Sequence, residues 1–425
     1  MDYLLFGFYL LFFSFLIYRY KIYRYFDLSP KSVLLLFLMK VFAGVAYTFV
    51  HYHYYGGGDV NRFHKNALWV YRALADNPIN YLKLVFGWYG EYVPPELAIY
   101  EKHILFWGDN GSFFLVRILA IFDIITRQNV YINTIFFEMI TMVGLLSLYK
   151  IFHYYFPDKK SLLLMCVFAI PSALFWSSGI HKDGLILTCT GLLFMCANDL
   201  VVKGFHAIKL FICIICIILL LMIRGYDIII MFPGLAALYW TYKMPKYKLL
   251  KFSFVYASCI LLFFFTDSWF HLGFVNFILQ KQKLFIEYGL GNSLLRPLMI
   301  NHHPISFLMT APHAIYRALF RPNIFQYHTL HELIYAIINT LFLIHCFLLL
   351  FFINFKKKKI SGLALFCIFY SMLMMVFIGW IVPNVGAMVR YTSCVYPFFT
   401  LFFVLVADEK KMAAIPILKR LNIFR

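Results

Sequence analysis

Long apolar runs alternate with short polar segments along most of the chain. Many of these runs approach the roughly 20 residues that a helix needs to cross a bilayer. The pattern predicts an all-α polytopic membrane protein with about eleven transmembrane helices, forming a single integral membrane domain over residues 1–425. The predicted spans are 3–18, 33–50, 130–150, 161–177, 184–200, 209–223, 228–242, 250–266, 333–354, 360–382 and 392–407.

The composition agrees with this pattern. The chain is 63% hydrophobic and only 13% charged, and its mean hydropathy is +0.78. A soluble globular domain carries about 25% charged residues, and its core could not hide this much apolar surface. We therefore expect lipid to surround the predicted helices.

The net charge of +19 would suggest nucleic-acid binding in a soluble protein. Here the positions of the charges give another explanation. With the N-terminus outside and the C-terminus cytoplasmic, the inner segments hold 22 of the 38 basic residues and five of the 19 acidic ones. Basic residues accumulate in cytoplasmic loops of membrane proteins, so the charge indicates topology, and we predict no nucleic-acid partner.

This topology puts most of the remaining polar residues on the outer side of the membrane. Within the first outer segment, apolar residues at helical spacing predict interfacial helices at 61–76 and 111–129. The outer side consists of two long segments and three short turns, namely 51–129 and 267–332, then 177–184, 224–227 and 383–391.

The stretch "HYHYYGGGDVNRFH" (51–64) contains the first candidate for chemistry, Asp59. Three glycines before it, Gly56 to Gly58, allow a sharp turn and a close backbone approach. Three roles are open for Asp59, namely a general base, a ligand of a divalent cation, or an N-cap of a helix starting near Val60 or Asn61. His64 is a candidate for substrate contact or, beside Asp59, for metal ligation.

The stretch "PSALFWSSGIHKDGL" (171–185) contains the second pair, Lys182 and Asp183, at the outer mouth of two predicted spans. The functional interpretation is a lysine that binds an anionic lipid headgroup. The structural alternative is an N-cap aspartate next to an interfacial lysine.

Outer arginines form the third group of candidates. A guanidinium group presents a planar fork that suits bidentate phosphate binding, although any single arginine could instead be an interfacial anchor. The histidines of the second outer segment match no compact metal-ligand spacing. The candidates for substrate binding here are Arg224 with Asp227, Arg317, Arg321 and Arg390, with Arg296 as a further outer arginine.

Several motifs resemble those of integral-membrane glycosyltransferases of the C-type fold (GT-C), in particular the bacterial members that use sugars on polyprenyl phosphate. "GGGDVNRFHKNA" (56–67) resembles a glycine-aspartate motif of these enzymes, and "PSALFWSSGIHKDGLIL" resembles their second recurring stretch. "FRPNIFQ" and "PNVGAMVRY" resemble patches in proteins of bacterial surface-polysaccharide systems.

The resemblance implies a sugar donor on polyprenyl phosphate or diphosphate, and a glycan or lipid-linked acceptor outside the bacterial inner membrane. It also implies that Asp59 deprotonates the acceptor hydroxyl or helps to hold a divalent cation. Many members carry a second acid near this position, whereas this chain has Asn61, and it has an extra span before the motif. Both features distinguish this chain from those members. The amide of Asn61 also weakens the interpretation of Asp59 as a ligand of a divalent cation.

The residues suit sugar transfer apart from the resemblance, because that reaction needs a base for the nucleophile and positive charge for the leaving phosphate. A repeat-unit polymerase or ligase for polysaccharides is the alternative, and an arginine-dominated outer segment would favour it. A transporter or flippase is the second alternative. It predicts ionisable or helix-breaking residues near the middle of several spans, and only Lys40 and Glu138 lie near the middle of one.

Overall fold

The computed structural model describes residues 2–55, 57–90, 92–270, 273–288, 294–327, 329–353, 360–408 and 411. Gly56, His328 and the lysine run 356–359 lie outside these ranges. Within them, the chain is all-helical, as the sequence predicts. The Cα positions group into two compact units, residues 1–154 with 174–225, and residues 155–173 with 226–425. The units are described separately below.

The helices up to residue 203 are α1 Tyr3–Arg19, α2 Ile22–Tyr25, α3 Pro30–His53, α4 Gly58–Asp76, α5 Pro78–Phe86, α6 Ala98–Glu101, α7 Asn110–Thr126, α8 Val130–Tyr155, α9 Lys160–Phe168, α10 Pro171–Ser177 and α11 Lys182–Lys203. The later helices are α12 Ala207–Lys243, α13 Lys248–Phe270, α14 Phe274–Tyr288, α15 Pro304–Phe320, α16 Leu330–Leu350, α17 Gly362–Ile381, α18 Val385–Ser393 and α19 Tyr396–Val406.

In the first unit, the amphipathic helix α4 packs against α3, α5 and α7. Its buried face includes Val60, Phe63, Ala67 and Val70, which follow the three- and four-residue spacing of a helix with one apolar side. Asn77 ends α4 and its side chain accepts the Ile79 amide at 2.9 Å, so the same residue caps α5. The predicted helix over 61–76 and its stop at "NP" are confirmed.

The second predicted interfacial helix is also present, as α7. Asp123 on this helix is fully buried, and its Oδ1 accepts a hydrogen bond of 2.7 Å from Asn133 on α8. The first unit therefore encloses the carboxylate of Asp123.

In the second unit, α17 is the central helix. It packs against α13, α14, α15, α18 and α19. The backbones of α15 and α17 approach closely at Gly379, where a Cβ atom would lie 2.2 Å from the carbonyl oxygen of Ala314. Only glycine fits this crossing, so the contact is fixed by residue size.

Among the described residues, seven helices are long and apolar enough to cross a membrane, or up to nine segments if two bent helix pairs each count as one span. The bent pairs are residues 157–168 with α10, at 59°, and α18 with α19, at 50°. These features show a polytopic helical membrane protein. The count of eleven is not confirmed.

The three short outer turns expected from the sequence have different outcomes. At 224–227, α12 consists of two helices that meet at a kink, where Arg224 has non-helical angles, with φ −159° and ψ 75°. Most of 383–391 belongs to α18, which Asn384 caps by accepting the Ala387 amide at 3.0 Å. The third turn, in 177–184, is present between α10 and α11.

Candidate functional site

Asp59 lies in the first turn of α4, directly after a glycine turn. Gly57 and Gly58 both have positive φ, of 143° and 43°. A Cβ atom on Gly58 would also lie 2.5 Å from the His51 ring. The helix begins at Gly58 with Gly57 as its N-cap, so the prediction that Asp59 caps a helix starting near Val60 or Asn61 is wrong. Its side chain is 36% exposed.

The buried imidazole of His181 holds the Asp59 carboxylate. Nε2 of His181 lies 3.2 Å from Oδ2 of Asp59, although 122 residues separate the two in the chain. His181 is only 1% exposed. A ligand can therefore reach the carboxylate but has little access to the ring behind it.

Asp183 and Arg224 continue this arrangement into the interior. Nδ1 of His181 lies 2.8 Å from Oδ2 of Asp183, and Arg224 donates from Nη2 to Oδ1 of Asp183 at 2.5 Å. Asp183 is fully buried and Arg224 is 7% exposed. We call Asp59, His181, Asp183 and Arg224 the histidine relay.

Both ring nitrogens of His181 face a carboxylate, Nδ1 that of Asp183 and Nε2 that of Asp59. Nδ1 also lies 3.3 Å from the Asp183 amide nitrogen, as the N-cap acceptor of α11, but it cannot accept there while it donates to the carboxylate. A proton on either ring nitrogen therefore has a carboxylate acceptor.

A buried ion pair holds the turn that carries His181. Nζ of Lys40 lies 3.0 Å from Oε2 of Glu138, and both side chains are fully buried. Lys40 also donates to the carbonyl oxygen of Ser177 at 2.8 Å, while the Gly179 amide donates to Oε1 of Glu138. The two ionisable residues found within predicted spans are thus paired, and both contact the turn before His181.

The predicted lysine, Lys182, forms an ion pair with Asp109 at 3.0 Å. Asp109 caps α7 by accepting the Ser112 amide at 3.1 Å. Burial raises the pKa of Asp109, but Lys182 and the hydrogen bonds from Ser112 outweigh it, so the pKa lies below its ordinary value. Lys182 therefore ties the start of α11 to the start of α7. The N-cap alternative for Asp183 is wrong, since His181 has that position.

His64 lies on α4, five residues after Asp59. Burial lowers its pKa to about 4, so the ring is neutral at pH 7. Its Nδ1 atom is buried and has no hydrogen-bond partner among the described residues. Within the described part of the chain, no group of three or more His, Cys, Asp or Glu side chains could hold a metal ion.

In the second unit, Arg317 and Arg321 lie together at a pocket of about 600 Å³. The two are four residues apart at the end of α15, and Arg296 lines the same pocket. Arg317 and Arg321 are both among the predicted substrate-binding residues. We call Arg296, His313, Arg317, Arg321 and Glu332 with this cavity the arginine pocket.

The remaining predicted contacts lie elsewhere. Arg390 lies on α18 with its guanidinium 5.2 Å from the centre of the Tyr391 ring, and it is not among the residues that line the arginine pocket. Asp227 lies in the second unit and is 3% exposed. The Asp183 contact of Arg224 was not expected, because the sequence suggested Asp227 as its neighbour.

His181 is the site residue that sequence reasoning missed. It lies next to Lys182 and Asp183 in a quoted motif, but a single histidine after a serine-glycine turn carries no specific signal. Comparison of the chain with protein-family models, with curated proteins and with solved structures found no match.

Proposed function

We propose that this protein is a membrane glycosyltransferase that moves a sugar from a polyprenyl-phosphate or polyprenyl-diphosphate donor to an acceptor hydroxyl outside the cell membrane. The single observation that carries the proposal is the histidine relay. A half-exposed carboxylate backed by a buried imidazole is suited to general-base catalysis.

In this proposal Asp59 takes the proton of the acceptor hydroxyl as the hydroxyl attacks the anomeric carbon of the donor sugar. Asp59 then shares that proton with Nε2 of His181, the ring nitrogen that faces it, while Asp183 and Arg224 hold the ring in place. The bond between the anomeric carbon and the phosphate oxygen breaks, and the phosphate leaves as an anion. Positive charge stabilises that anion, and in the first unit the predicted phosphate contact nearest to His181 in the chain is Lys182.

The membrane arrangement in this proposal is the eleven-span topology of a bacterial inner membrane, with residues 51–129 and 267–332 outside. Helix α12 has 37 residues, which at about 1.5 Å per residue is longer than one crossing of a roughly 30 Å bilayer core. Its two parts, before and after Arg224, would each form one span. The apolar helix α1 has 17 residues and would form another.

The test is a transfer assay on the purified full chain in lipid nanodiscs. Radiolabelled sugars on a synthetic polyprenyl phosphate and on a polyprenyl diphosphate are offered with membrane glycan extracts as acceptors. We expect labelled glycan and released prenyl carrier with the wild type. Asp59→Asn should lower the rate about 10²-fold or more, because the amide cannot accept the proton.

Asp76→Asn is the matched control. Asp76 ends the same helix α4 and accepts a hydrogen bond from Tyr100 at 3.1 Å, outside the histidine relay. Its variant should turn over normally. Wild-type turnover by Asp59→Asn with an unchanged melting temperature would overturn the role of Asp59, and no transfer or carrier release by the wild type from either donor class would overturn the proposal.

A repeat-unit polymerase or ligase for polysaccharides is the second candidate, and the arginine pocket favours it. Such an enzyme would also act on a glycan linked to a lipid diphosphate. The two candidates differ in their products, since a polymerase or ligase moves a whole oligosaccharide. Offering a lipid-linked disaccharide repeat in the same assay separates them by product length.

A further inference from the structure

The arginine pocket in the second unit carries more positive charge than a single phosphate group requires. Three arginines line it, Arg296, Arg317 and Arg321, and the one acidic lining residue is Glu332. Burial, together with the positive charge of Arg317 and Arg321, lowers the pKa of His313 below its ordinary value, which favours the neutral ring. The net charge of the lining is therefore +2.

Two of these arginines have guanidinium atoms turned away from water. Arg317 is only 7% exposed and donates from Nε to Nε2 of His313 at 3.3 Å. The Nε atom of Arg321 is buried without a hydrogen-bond partner in the part of the chain that the structure describes. An anionic ligand would give such guanidinium groups charged acceptors.

The pocket is also held in shape by surrounding structure. Leu295 donates its amide to the carbonyl oxygen of Pro383 at 2.7 Å, which fixes the segment that carries Arg296. The side chain of Asn339 on α16 donates to the carbonyl oxygens of Leu319 and Pro322, at 3.1 and 3.3 Å. The positions of Arg317 and Arg321 are thereby fixed before any ligand binds, which lowers the entropic cost of binding.

We infer that the arginine pocket binds a diphosphate diester, and that it prefers this group to a monophosphate diester. Each esterified phosphate group carries about one negative charge, so a diphosphate diester matches the net +2 of the lining and a monophosphate leaves half of it unbalanced. A volume of about 600 Å³ lies within the usual range for ligand pockets, and it leaves room for two phosphates with a guanidinium fork on each.

The same chemistry occurs in lipid-linked sugars and in water-soluble nucleotide sugars. Phe325 lines the pocket and is 87% exposed, and Leu294 and Leu295 add apolar surface beside Arg296. An isoprenoid chain would cover this surface, whereas a ribose and a base would leave it in water. We therefore assign the diphosphate to a prenyl lipid. This assignment takes only one thing from the proposed function, namely that the lipid is the carrier of the donor sugar.

The experiment measures binding alone, with the full chain in nanodiscs. Three probes carry the same sugar, namely a prenyl diphosphate sugar, a prenyl monophosphate sugar and a soluble uridine diphosphate sugar. We expect the prenyl diphosphate to bind at least about tenfold more tightly than either other probe. Arg296→Gln and Arg321→Gln should each remove most of that preference. Lys283→Gln, at an exposed lysine of α14 in the same unit, should retain it.

Equal affinity for the two prenyl probes in the wild type would overturn the inference, and so would unchanged diphosphate binding in both arginine variants. Tighter binding of the uridine diphosphate sugar would overturn the lipid assignment. Because no transfer is measured, these outcomes are independent of the role of Asp59. A diphosphate preference with no effect of Asp59→Asn on turnover would support the pocket and reject the proposed base.

Discussion

Oδ2 of Asp59 lies 3.2 Å from Nε2 of His181, which joins the two sequence motifs of the first unit. The glycine turn places the carboxylate, and the turn held by Lys40 and Glu138 places the ring. Since His181 is buried and Asp59 is not, the pair has one side open to a ligand and one side closed. The first prediction tests whether the buried residue of the pair, His181, contributes to turnover.

We predict that His181→Gln and His181→Asn both lower turnover about 10²-fold, because neither amide can take a proton from Asp59. Glutamine can still reach Asp59 and asparagine can still reach Asp183, so KM for the donor should change little. The pH profile of turnover should also differ from that of the wild type, because the side chain that shares the proton of Asp59 is gone. Steady-state kinetics between pH 5 and 9 measure both effects.

His103→Gln is the control for these variants. His103 is exposed and stacks on Trp69, with ring centres 3.8 Å apart, away from the relay. If His181→Gln keeps the wild-type rate and pH profile, the ring only fills space.

The second prediction concerns the buried pair Lys40 and Glu138. Lys40→Met leaves a buried carboxylate without its cation, which should lower the free energy of unfolding by about 3–5 kcal/mol. Adding Glu138→Gln removes that charge, and the amide oxygen can still accept from Gly179. Thermal unfolding in nanodiscs should therefore show the double variant well above the single one. A double variant as unstable as Lys40→Met would mean that charge is not the cause.

Asp123 predicts a dependence of stability on pH. Burial raises its pKa to about 6, against a lowering effect of the hydrogen bond from Asn133. The folded state therefore holds the proton between the unfolded pKa of about 3.9 and the folded value of about 6, and stability contributed by this group falls as the pH rises through that window. The full loss above pH 6 is about 3 kcal/mol.

The amide side chain of Asp123→Asn stays neutral at every pH, so this variant should not lose stability as the pH rises. The variant should melt at a higher temperature than the wild type at pH 7.5, and the gap should close as the pH approaches 4. Melting temperatures from pH 4 to 8 measure it. A constant gap across this range would contradict the assigned cause.

The last prediction concerns topology. Lys65 on α4 is exposed, and the Lys283 side chain on α14 is 77% exposed. Single cysteines at these positions, in a background without the nine native cysteines, should react with a membrane-impermeant thiol reagent on intact spheroplasts. Protection of both until the cells are lysed would place residues 51–129 and 267–332 inside.

Local patterns in the sequence determined much of the helical structure. Apolar runs predicted the long helices, the spacing in 61–76 predicted α4, and "NP" predicted where it ends. The three glycines marked Asp59 because their backbone freedom is a property of the residues themselves. The span count was harder, since α12 consists of two helices that meet at a kink at Arg224, and length alone does not show whether such a kink separates two spans.

Only the tertiary structure decided which residues meet. His181 contacts Asp59 across 122 residues of chain, and Arg224 contacts Asp183 across 41. Lys40 and Glu138 were visible as charges within apolar runs, but nothing in either run indicates that they pair and hold the turn before His181. The periodicity of apolar residues shows on which face of its own helix a residue lies. The contacts described here depend instead on how helices pack against each other. That packing is set by side chains far apart in sequence.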